Sequence, residues 1–302
     1  KCLNAEDQEL AKIIMKRWLV GCVAAVYEPY FNNKLVPVLQ GGQTFKKTAF
    51  IQRIANVIPN AYVEGEELNP DNKDSVLTSI RAWIVELGEL ERTSKNSQGA
   101  LKAFLTKGVD SVRPPYGRKD IKKPRQTLFI ATVNEGDFLK DSTGSSRYGV
   151  IKLNEAVNID KVNDILGWRF TGTGKLDREN PELLKQFWLE VKMAYLQGEA
   201  WVLSEEESNK TRKANEPFND KGAIYNYILD NYIEADDSDF PVIFPKWFTA
   251  GQLAKEDSDL QAHQVGQIGK ALKRLADEQL LDRKTAGSNK VLYSLSSLKP
   301  SN

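Results

Sequence analysis

The sequence predicts an α/β protein in which helices cover both faces of a mostly parallel β-sheet, followed by a helical region and a small winged-helix-like C-terminal domain. Three observations support this prediction. Apolar runs alternate with helical patterns up to residue 157, an order typical of parallel sheets. Helical periodicity then dominates as far as residue 220. After it, two helices and a β-hairpin follow in the order of a winged helix.

Length and composition exclude several other classes of protein. The chain has 302 residues, enough for two domains, and its 41% hydrophobic and 27% charged residues are typical of globular proteins. Because 42 Lys and Arg balance 41 Asp and Glu, any basic surface must be local. Two cysteines and the lack of an apolar run of about 18 residues predict a cytoplasmic protein that does not enter a membrane.

A helical segment and a sheet-forming region make up the first half of the chain. Residues 1–34 hold a helix predicted over 5–27, where apolar side chains recur at helical spacing. The region 35–157 is predicted to form the α/β core. Its apolar runs predict five strands, at 35–40, 61–64, 82–87, 127–133 and 148–153.

The second half of the chain is predicted to be a helical extension and a terminal domain. Residues 158–220 form the extension, and its longest helix begins at Pro181, because proline suits the first helical position. Residues 221–302 form the winged-helix-like domain. Its predicted helices span 249–254 and 265–279, and its predicted strands span 280–284 and 290–295.

The strand ending at Gln40 runs into a segment that partly matches a phosphate loop. A phosphate loop uses backbone N–H groups at a helix N-terminus to hold phosphates, a lysine to contact the β- and γ-phosphates, and a hydroxyl to bind Mg²⁺. Here Lys47, expected as a solvent-facing charge, and Thr48 take the last two roles, while Lys46 replaces the last glycine. The pattern alone also fits a plain strand-to-helix connection. The segment predicted to bind ATP is Gly41, Gly42, Gln43, Thr44, Phe45, Lys46, Lys47 and Thr48.

Polar residues at the ends of the next strands agree with a phosphate site. Glu86 ends an apolar strand and Glu89 follows it, so the two predict the acidic pair that holds Mg²⁺ and orients the attacking water. Asn134 ends the next strand, where it can hydrogen-bond the γ-phosphate or that water. Alternatively, Glu86 and Glu89 are solvated acids that flank a strand, and Asn134 is an ordinary turn residue. The order of these parts, with Arg147 after them, is that of ring-forming ATPases of the P-loop class, so residues 35–157 are predicted to form a P-loop ATPase core.

Several blocks of the sequence resemble the virulence-associated E family. This family comprises primase-helicases of phages and mobile elements with superfamily 3-like helicase domains, and the likeness covers about residues 10 to 218. It implies a P-loop NTPase core of the AAA+ and superfamily 3 helicase type, which uses ATP and Mg²⁺ and acts as a ring, with a hexamer favoured, on single-stranded or forked DNA. The blocks are Trp83–Leu90, Leu101–Leu105, Arg113–Arg118, Thr143–Tyr148, Gln186–Glu190 and Gly198–Ser204.

The resemblance also implies roles for single residues. Lys47 and Thr48 match the phosphate and Mg²⁺ positions, and Glu86 and Glu89 match the acidic motif, with Glu86 on the metal. Asn134 matches the sensor position. Arg147 matches an arginine that reaches the nucleotide of a neighbouring subunit. A primase is an expected partner, because the primase domain that usually precedes the helicase in this family is not in the sequence.

Two positions depart from the family pattern. Lys46 stands in place of the final glycine of the loop, and Ser146 stands where the family usually has the first arginine of a pair. Both departures bear on catalysis and leave the predicted fold unchanged. The alternative function is therefore a catalytically weakened P-loop protein that serves as a DNA-binding or scaffolding module.

Two groups of basic residues predict contacts with DNA. Between residues 102 and 125, eight Lys or Arg outnumber two acids, and cations beside an aromatic ring suit a phosphate backbone with one stacked base. A winged helix would place a basic helical face of the terminal domain in the major groove. A solvated loop and a protein-contact module are the respective alternatives. The residues are Arg113, Tyr116, Arg118, Lys119, Lys122 and Lys123 in the first group and Lys270, Lys273 and Arg274 in the second.

Overall fold

The computed structural model gives two compact units, Lys1–Asp220 and Lys221–Asn302. No helix in the described part of the chain is long and apolar enough to cross a membrane. The residues that the structure describes are 1–66, 68–70, 72–88, 90, 95–112, 119, 121–134, 138–139, 147–219, 221–233, 246–287 and 290–295.

A five-stranded parallel sheet organises the N-terminal unit. The strands lie in the order β2-β3-β6-β1-β7, and every neighbouring pair is parallel. This confirms the predicted mixed α/β architecture, and each predicted strand ends within two residues of its observed limits. The strands are β1 (Val36–Gln40), β2 (Tyr62–Glu66), β3 (Ile84–Leu87), β6 (Leu128–Val133) and β7 (Tyr148–Lys152).

Helices cover the two faces of this sheet because neighbouring residues of each strand point to opposite sides. Leu39 and Ile130 belong to the larger apolar core, which includes residues of α1, α2, α5 and α6. Val38 and Phe129 belong to a second core, with residues of α4. The helices are α1 (Gln8–Tyr27), α2 (Lys47–Ala55), α3 (Lys73–Ser79), α4 (Lys95–Leu105), α5 (Ile159–Leu166), α6 (Pro181–Leu196) and α7 (Glu205–Asn215).

Two antiparallel hairpins accompany the sheet. The first pairs β4 (Val109–Val112) with β5 (Ile121–Pro124), inside the basic segment of the sequence. The second pairs β8 (Trp168–Phe170) with β9 (Leu176–Arg178), in the region predicted to be helical. Strands of three residues are too short to give a recognisable alternation in the sequence, so the prediction missed this hairpin.

Helix α2 is held at its C-terminal end by two tryptophans. The last carbonyl oxygens of a helix lack partners within the helix. Here Trp168 Nε1 donates to the Arg53 carbonyl and Trp188 Nε1 donates to the Ile54 carbonyl, each at 2.9 Å. Both tryptophan side chains are buried. These bonds fix the helix whose other end begins at Lys47.

The described residues of the C-terminal unit form three α-helices and a three-stranded antiparallel sheet in the order β10-β12-β11. Helix α10 contributes Ile268, Leu272 and Leu275 to the core of this unit. Helix α8 and strand β10 are absent from the sequence prediction, and β11 begins three residues later than expected. The elements are α8 (Ala223–Tyr232), β10 (Lys246–Phe248), α9 (Ala250–Glu256), α10 (Val265–Asp277), β11 (Arg283–Ala286) and β12 (Lys290–Leu295).

Candidate functional site

The loop between β1 and α2 lies at the carboxyl end of β1, beside β6. Gly41 N donates to the Val133 carbonyl at 3.3 Å, and Phe45 N donates to the Gly42 carbonyl at 3.1 Å. The Phe45 ring lies against both glycines. A Cβ added to Gly41 would come within 2.7 Å of this ring, and one added to Gly42 within 3.0 Å. The close approach of the ring therefore favours glycine at Gly41, where a Cβ would clash unless the ring moved, and leaves little room for one at Gly42.

Lys47 is buried, which corrects the expectation of a solvent-facing charge. Only 6% of the residue is exposed. Its Nζ donates to the Gly41 carbonyl at 2.5 Å, to the Gly42 carbonyl at 2.8 Å and to Asn134 Oδ1 at 2.9 Å. A buried ammonium needs acceptors, and the loop carbonyls face it because Lys47 opens α2 directly after the loop. The side chain therefore joins the loop to the end of β6.

Glu86, at the carboxyl end of β3, is buried and accepts hydrogen bonds from three hydroxyl groups. Thr48 Oγ1 donates to Oε1 at 2.6 Å, and Thr132 Oγ1 donates to the same oxygen at 3.0 Å. The Tyr62 hydroxyl donates to Oε2. Donors of this kind are what a buried carboxylate requires. The three hydroxyls come from α2, β6 and β2, so the carboxylate is fixed from three sides.

Tyr62 and Glu64 are residues that the sequence analysis did not identify. They alternate along β2, next to the acidic strand β3, and this spacing places both on one face of the sheet. Burial raises the pKa of Tyr62, and the Glu86 carboxylate raises it further. Burial also raises the pKa of Glu64, with a second contribution from Glu86 and an opposing one from Arg53. The sequence does contain a signal for these residues, because Tyr62 and Glu64 are spaced to lie on one face of a strand that precedes the strand with Glu86.

Lys47, Thr48, Glu64, Glu86 and Asn134 meet in a cleft at the carboxyl edge of the sheet. One wall depends on a close approach of two strand ends, because a Cβ at Gly88 would lie 3.2 Å from the backbone of Gly65. Gly65 itself has a φ of +63°, which favours glycine. The cleft encloses about 290 Å³, and its lining residues are Gln43, Lys46, Lys47, Thr48, Ala49, Glu64, Gly65, Glu86, Gly88, Thr132 and Asn134.

Lys46 has a left-handed backbone, with φ 57° and ψ 30°. Its side chain is exposed, as are those of Gln43 and Thr44. A left-handed conformation is unfavourable for a residue with a Cβ and is the one that glycine adopts readily. The position where the family pattern has glycine therefore has the backbone geometry of glycine, although lysine occupies it. Glu89, predicted as the second acid, lies outside the described residues.

Comparison with known proteins identifies the family of the chain. Residues 1–220 match the virulence-associated protein E-like domain. The chain belongs to this family. It is also similar to an apo structure of the NrS-1 C-terminal region, with 11% sequence identity, a TM-score of 0.38, and coverage of 97% of this chain and 76% of that one. For the A form of that region the sequence identity is 14%, the TM-score is 0.41, and the match covers 97% of this chain and 77% of that one. No curated protein matches.

Arg147 of this virulence-associated E-like chain lies at the other edge of the sheet. It directly precedes β7, and Tyr148 pairs with Val36 at the start of β1, whereas the loop follows the end of β1. A strand of this length separates the two edges by about 16 Å. Arg147 Nε is buried and has no hydrogen-bond partner among the described residues. The structure therefore does not bring Arg147 to Lys47 within one chain.

The predicted DNA-binding residues of the first hairpin divide into exposed and engaged groups. Lys119 and Lys122 are exposed. Lys123 is partly buried, and its Nζ donates to the Ile80 carbonyl at 2.9 Å. The other members of this predicted group, Arg113, Tyr116 and Arg118, lie outside the described residues.

Two cations counted in the basic segment are not on the surface. Lys102 and Arg125 are both buried. Arg125 forms a bidentate pair with Asp110, with distances of 2.7 Å and 2.5 Å, at the base of the β4–β5 hairpin. The local charge excess that predicted DNA binding is therefore smaller at the surface than in the sequence, because a residue count does not distinguish inward-facing cations from exposed ones.

The basic face of α10 is also only partly available. Lys270 and Lys273 are exposed. Arg274 Nε lies 3.1 Å from Glu278 Oε1, and its guanidinium lies 5.6 Å from the centre of the Tyr225 ring. The structure thus separates Arg274, which has contacts within the C-terminal unit, from the two exposed lysines.

Proposed function

We propose that the cleft binds Mg–ATP and that the chain is an ATP-dependent replicative DNA helicase domain of a phage or mobile element. The observation that carries this proposal is the meeting of Lys47, Thr48, Glu86 and Asn134 in one cleft. The cleft lies at the carboxyl edge of a parallel sheet, where α/β proteins commonly bind ligands. Membership of the virulence-associated E-like family supports a role in replication.

Each residue of the cleft has a role that its chemistry supports. Lys47 places a positive charge where the β- and γ-phosphates of ATP would lie. The Thr48 hydroxyl and the Glu86 carboxylate are oxygen donors of the kind that Mg²⁺ prefers, and they already lie 2.6 Å apart. When bound, the metal would neutralise charge on the phosphates. Asn134 would orient the γ-phosphate or the attacking water, so catalysis would rest on positioning and electrostatics.

A ring explains the position of Arg147. This arginine and the loop lie at opposite edges of the sheet. In a closed ring of identical chains, one edge of each subunit can face the other edge of its neighbour. Arg147 would then act in trans on the nucleotide of the next subunit, as arginine fingers do. We favour a hexamer.

We infer two DNA contacts for this ring. Lys119 and Lys122 on the first hairpin are exposed cations, and together with Lys123, Arg113, Tyr116 and Arg118 they would hold a single strand. In the C-terminal unit, the order of helices and strands supports a winged helix, with Lys270 and Lys273 of α10 facing duplex DNA.

A catalytically weakened protein is the second candidate, and the backbone of Lys46 favours it. A lysine in a left-handed conformation costs about 1–3 kcal/mol and places a Cβ where phosphates would approach. Such a chain would keep the fold and bind DNA or act as a scaffold, with little hydrolysis of ATP.

ATP turnover with and without single-stranded DNA separates the two candidates. A helicase domain should bind a fluorescent ATP analogue in a Mg²⁺-dependent manner and hydrolyse ATP faster when a single strand is added. Binding of DNA without hydrolysis of ATP under any condition would select the weakened protein. Strand separation on a forked DNA, measured by loss of energy transfer between two dyes, would then test the helicase activity directly.

A further inference from the structure

The two oxygens of the Glu86 carboxylate accept hydrogen bonds from different hydroxyl groups, and these bonds fix its orientation. Oε1 accepts from Thr48 and Thr132, whereas Oε2 accepts from Tyr62. Among the described residues, Tyr62 is the hydrogen-bond donor that contacts Oε2. Removal of this phenol would leave one carboxylate oxygen without its donor and would let the group rotate about its bond to Cγ.

We propose that Tyr62 is a positioning residue that fixes the Glu86 carboxylate for Mg²⁺ in the cleft. The inference rests on the proposed function of the cleft and adds a residue to it. Groups that hydrogen-bond a metal-ligating carboxylate orient it, and their loss typically lowers metal affinity by 10- to 100-fold. Tyr62 holds Oε2, so that Oε1 stays directed at the Thr48 hydroxyl on the metal side of the cleft.

The topology of the sheet supports a phenol at this place. Tyr62 comes from β2 and Glu86 from β3, so the bond crosses between neighbouring strands and reaches a carboxylate that lines the cleft. The three hydroxyls that contact Glu86 thus come from three elements, α2, β6 and β2, and the contact to Oε2 is the one that β2 supplies.

The test is the Mg²⁺ dependence of nucleotide binding in Tyr62→Phe, which keeps the ring and removes only the hydroxyl. A fluorescent ATP analogue is titrated first in EDTA and then at increasing Mg²⁺. We expect an affinity in EDTA within about twofold of the wild-type value and a half-saturating Mg²⁺ concentration raised about tenfold. Tyr225→Phe is the matched control, because it removes a phenol that donates to Glu278 in the C-terminal unit. It should change neither value.

Each outcome decides one point. Equal Mg²⁺ dependence in Tyr62→Phe and the wild type would overturn the proposal, as would an equal loss of affinity with and without the metal, which would indicate a purely structural phenol. Wild-type binding that ignores Mg²⁺ would contradict the proposed function itself. If Tyr62→Phe does not fold, Tyr62→Met fills the space with a flexible side chain that cannot donate to Oε2, and an unchanged Mg²⁺ requirement in that variant would overturn the proposal.

Discussion

Two of the places where the described part of the N-terminal unit buries charge are stabilised in different ways. At the cleft, Lys47 donates to backbone carbonyls and an amide, and Glu86 accepts from hydroxyls. At the base of the β4–β5 hairpin, Asp110 and Arg125 pair with each other. The Arg125 guanidinium also lies 4.5 Å from the centre of the Phe104 ring.

The difference is the one expected between the proposed binding site and a structural contact. Neutral dipoles stabilise a charge without cancelling it, so the cleft keeps an ammonium and a carboxylate that can still act on a ligand. An ion pair cancels most of its own field and leaves little for a partner. Burial of a charge is therefore informative about function only together with the nature of the groups that surround it.

The largest expected effect comes from removing the Lys47 ammonium group from the cleft. We expect Lys47→Ala to weaken ATP binding at least about 100-fold, because it removes a charged donor from the phosphates. The variant should also lose about 1–3 kcal/mol of stability, since the carbonyls of Gly41 and Gly42 lose their donor. Isothermal titration with ATP and chemical denaturation measure the two effects.

Lys161→Ala is the control for this substitution, because Lys161 is an exposed lysine on α5. Its ATP affinity and stability should equal those of the wild type. An unchanged affinity in Lys47→Ala would contradict the assignment of the loop to phosphate binding.

Loss of the Asp110–Arg125 pair should lower the stability of the protein strongly and leave its ATP affinity unchanged. Asp110→Ala leaves Arg125 buried without its carboxylate, which typically costs about 3–5 kcal/mol. We expect that loss in the free energy of unfolding, with the ATP affinity of the folded protein unchanged. Asp110→Leu combined with Arg125→Met removes both charges and should recover much of the stability. A large change in ATP affinity in a folded Asp110 variant would show that the two clusters are not independent.

The exposed lysines of the same hairpin should affect DNA and leave stability unchanged. Replacing Lys119 and Lys122 by Ala removes two phosphate contacts, so the salt dependence of single-stranded DNA binding should flatten by up to about 1.4 in log–log slope. Lys123→Ala should change the slope less, because Lys123 is engaged with Ile80. Fluorescence anisotropy at several salt concentrations gives the slopes. Equal slopes in the double variant and the wild type would place the DNA elsewhere.

Much of the fold follows from patterns that the sequence contains. Strands β1, β3 and β6 are almost entirely buried and mostly apolar, and such runs are visible without any tertiary information. Because parallel strands end at one edge, Glu86 and Asn134 could be placed near the loop from their positions alone. The β8–β9 hairpin was missed because its strands are too short for a period to be seen.

The contacts of individual side chains were less accessible from the sequence. Lys47 is buried because the carbonyl oxygens of Gly41 and Gly42 point toward its ammonium group. The direction of these carbonyls cannot be predicted from the spacing of residues in the sequence. The bond from Tyr62 to Glu86 requires knowledge that β2 and β3 are neighbours in the sheet. Arg125 was counted as a surface cation because a tally of charge does not contain the pair with Asp110.

The smallest expected effect on ATP binding comes from replacing Lys46, and this substitution tests whether the lysine impairs the loop. The left-handed backbone of Lys46 costs about 1–3 kcal/mol of folding free energy relative to glycine with or without ATP, whereas its Cβ limits the approach of phosphates and so acts on binding. Its charge, at the edge of the cleft and screened by water, is worth about 1 kcal/mol in favour of an anion. We therefore expect Lys46→Gly to bind ATP a few-fold more tightly and to hydrolyse it faster.

Lys46→Ala separates the two contributions, because it keeps a Cβ and loses the charge. The expected order of ATP affinity is Lys46→Gly first, the wild type second and Lys46→Ala last. Titration calorimetry with ATP and Mg²⁺ measures the affinities, and phosphate release measures turnover. If the wild type binds ATP as tightly as Lys46→Gly or more tightly, the charge outweighs the steric cost. The lysine would then be an adaptation of the loop to its ligand, and the weakened protein would lose its main support.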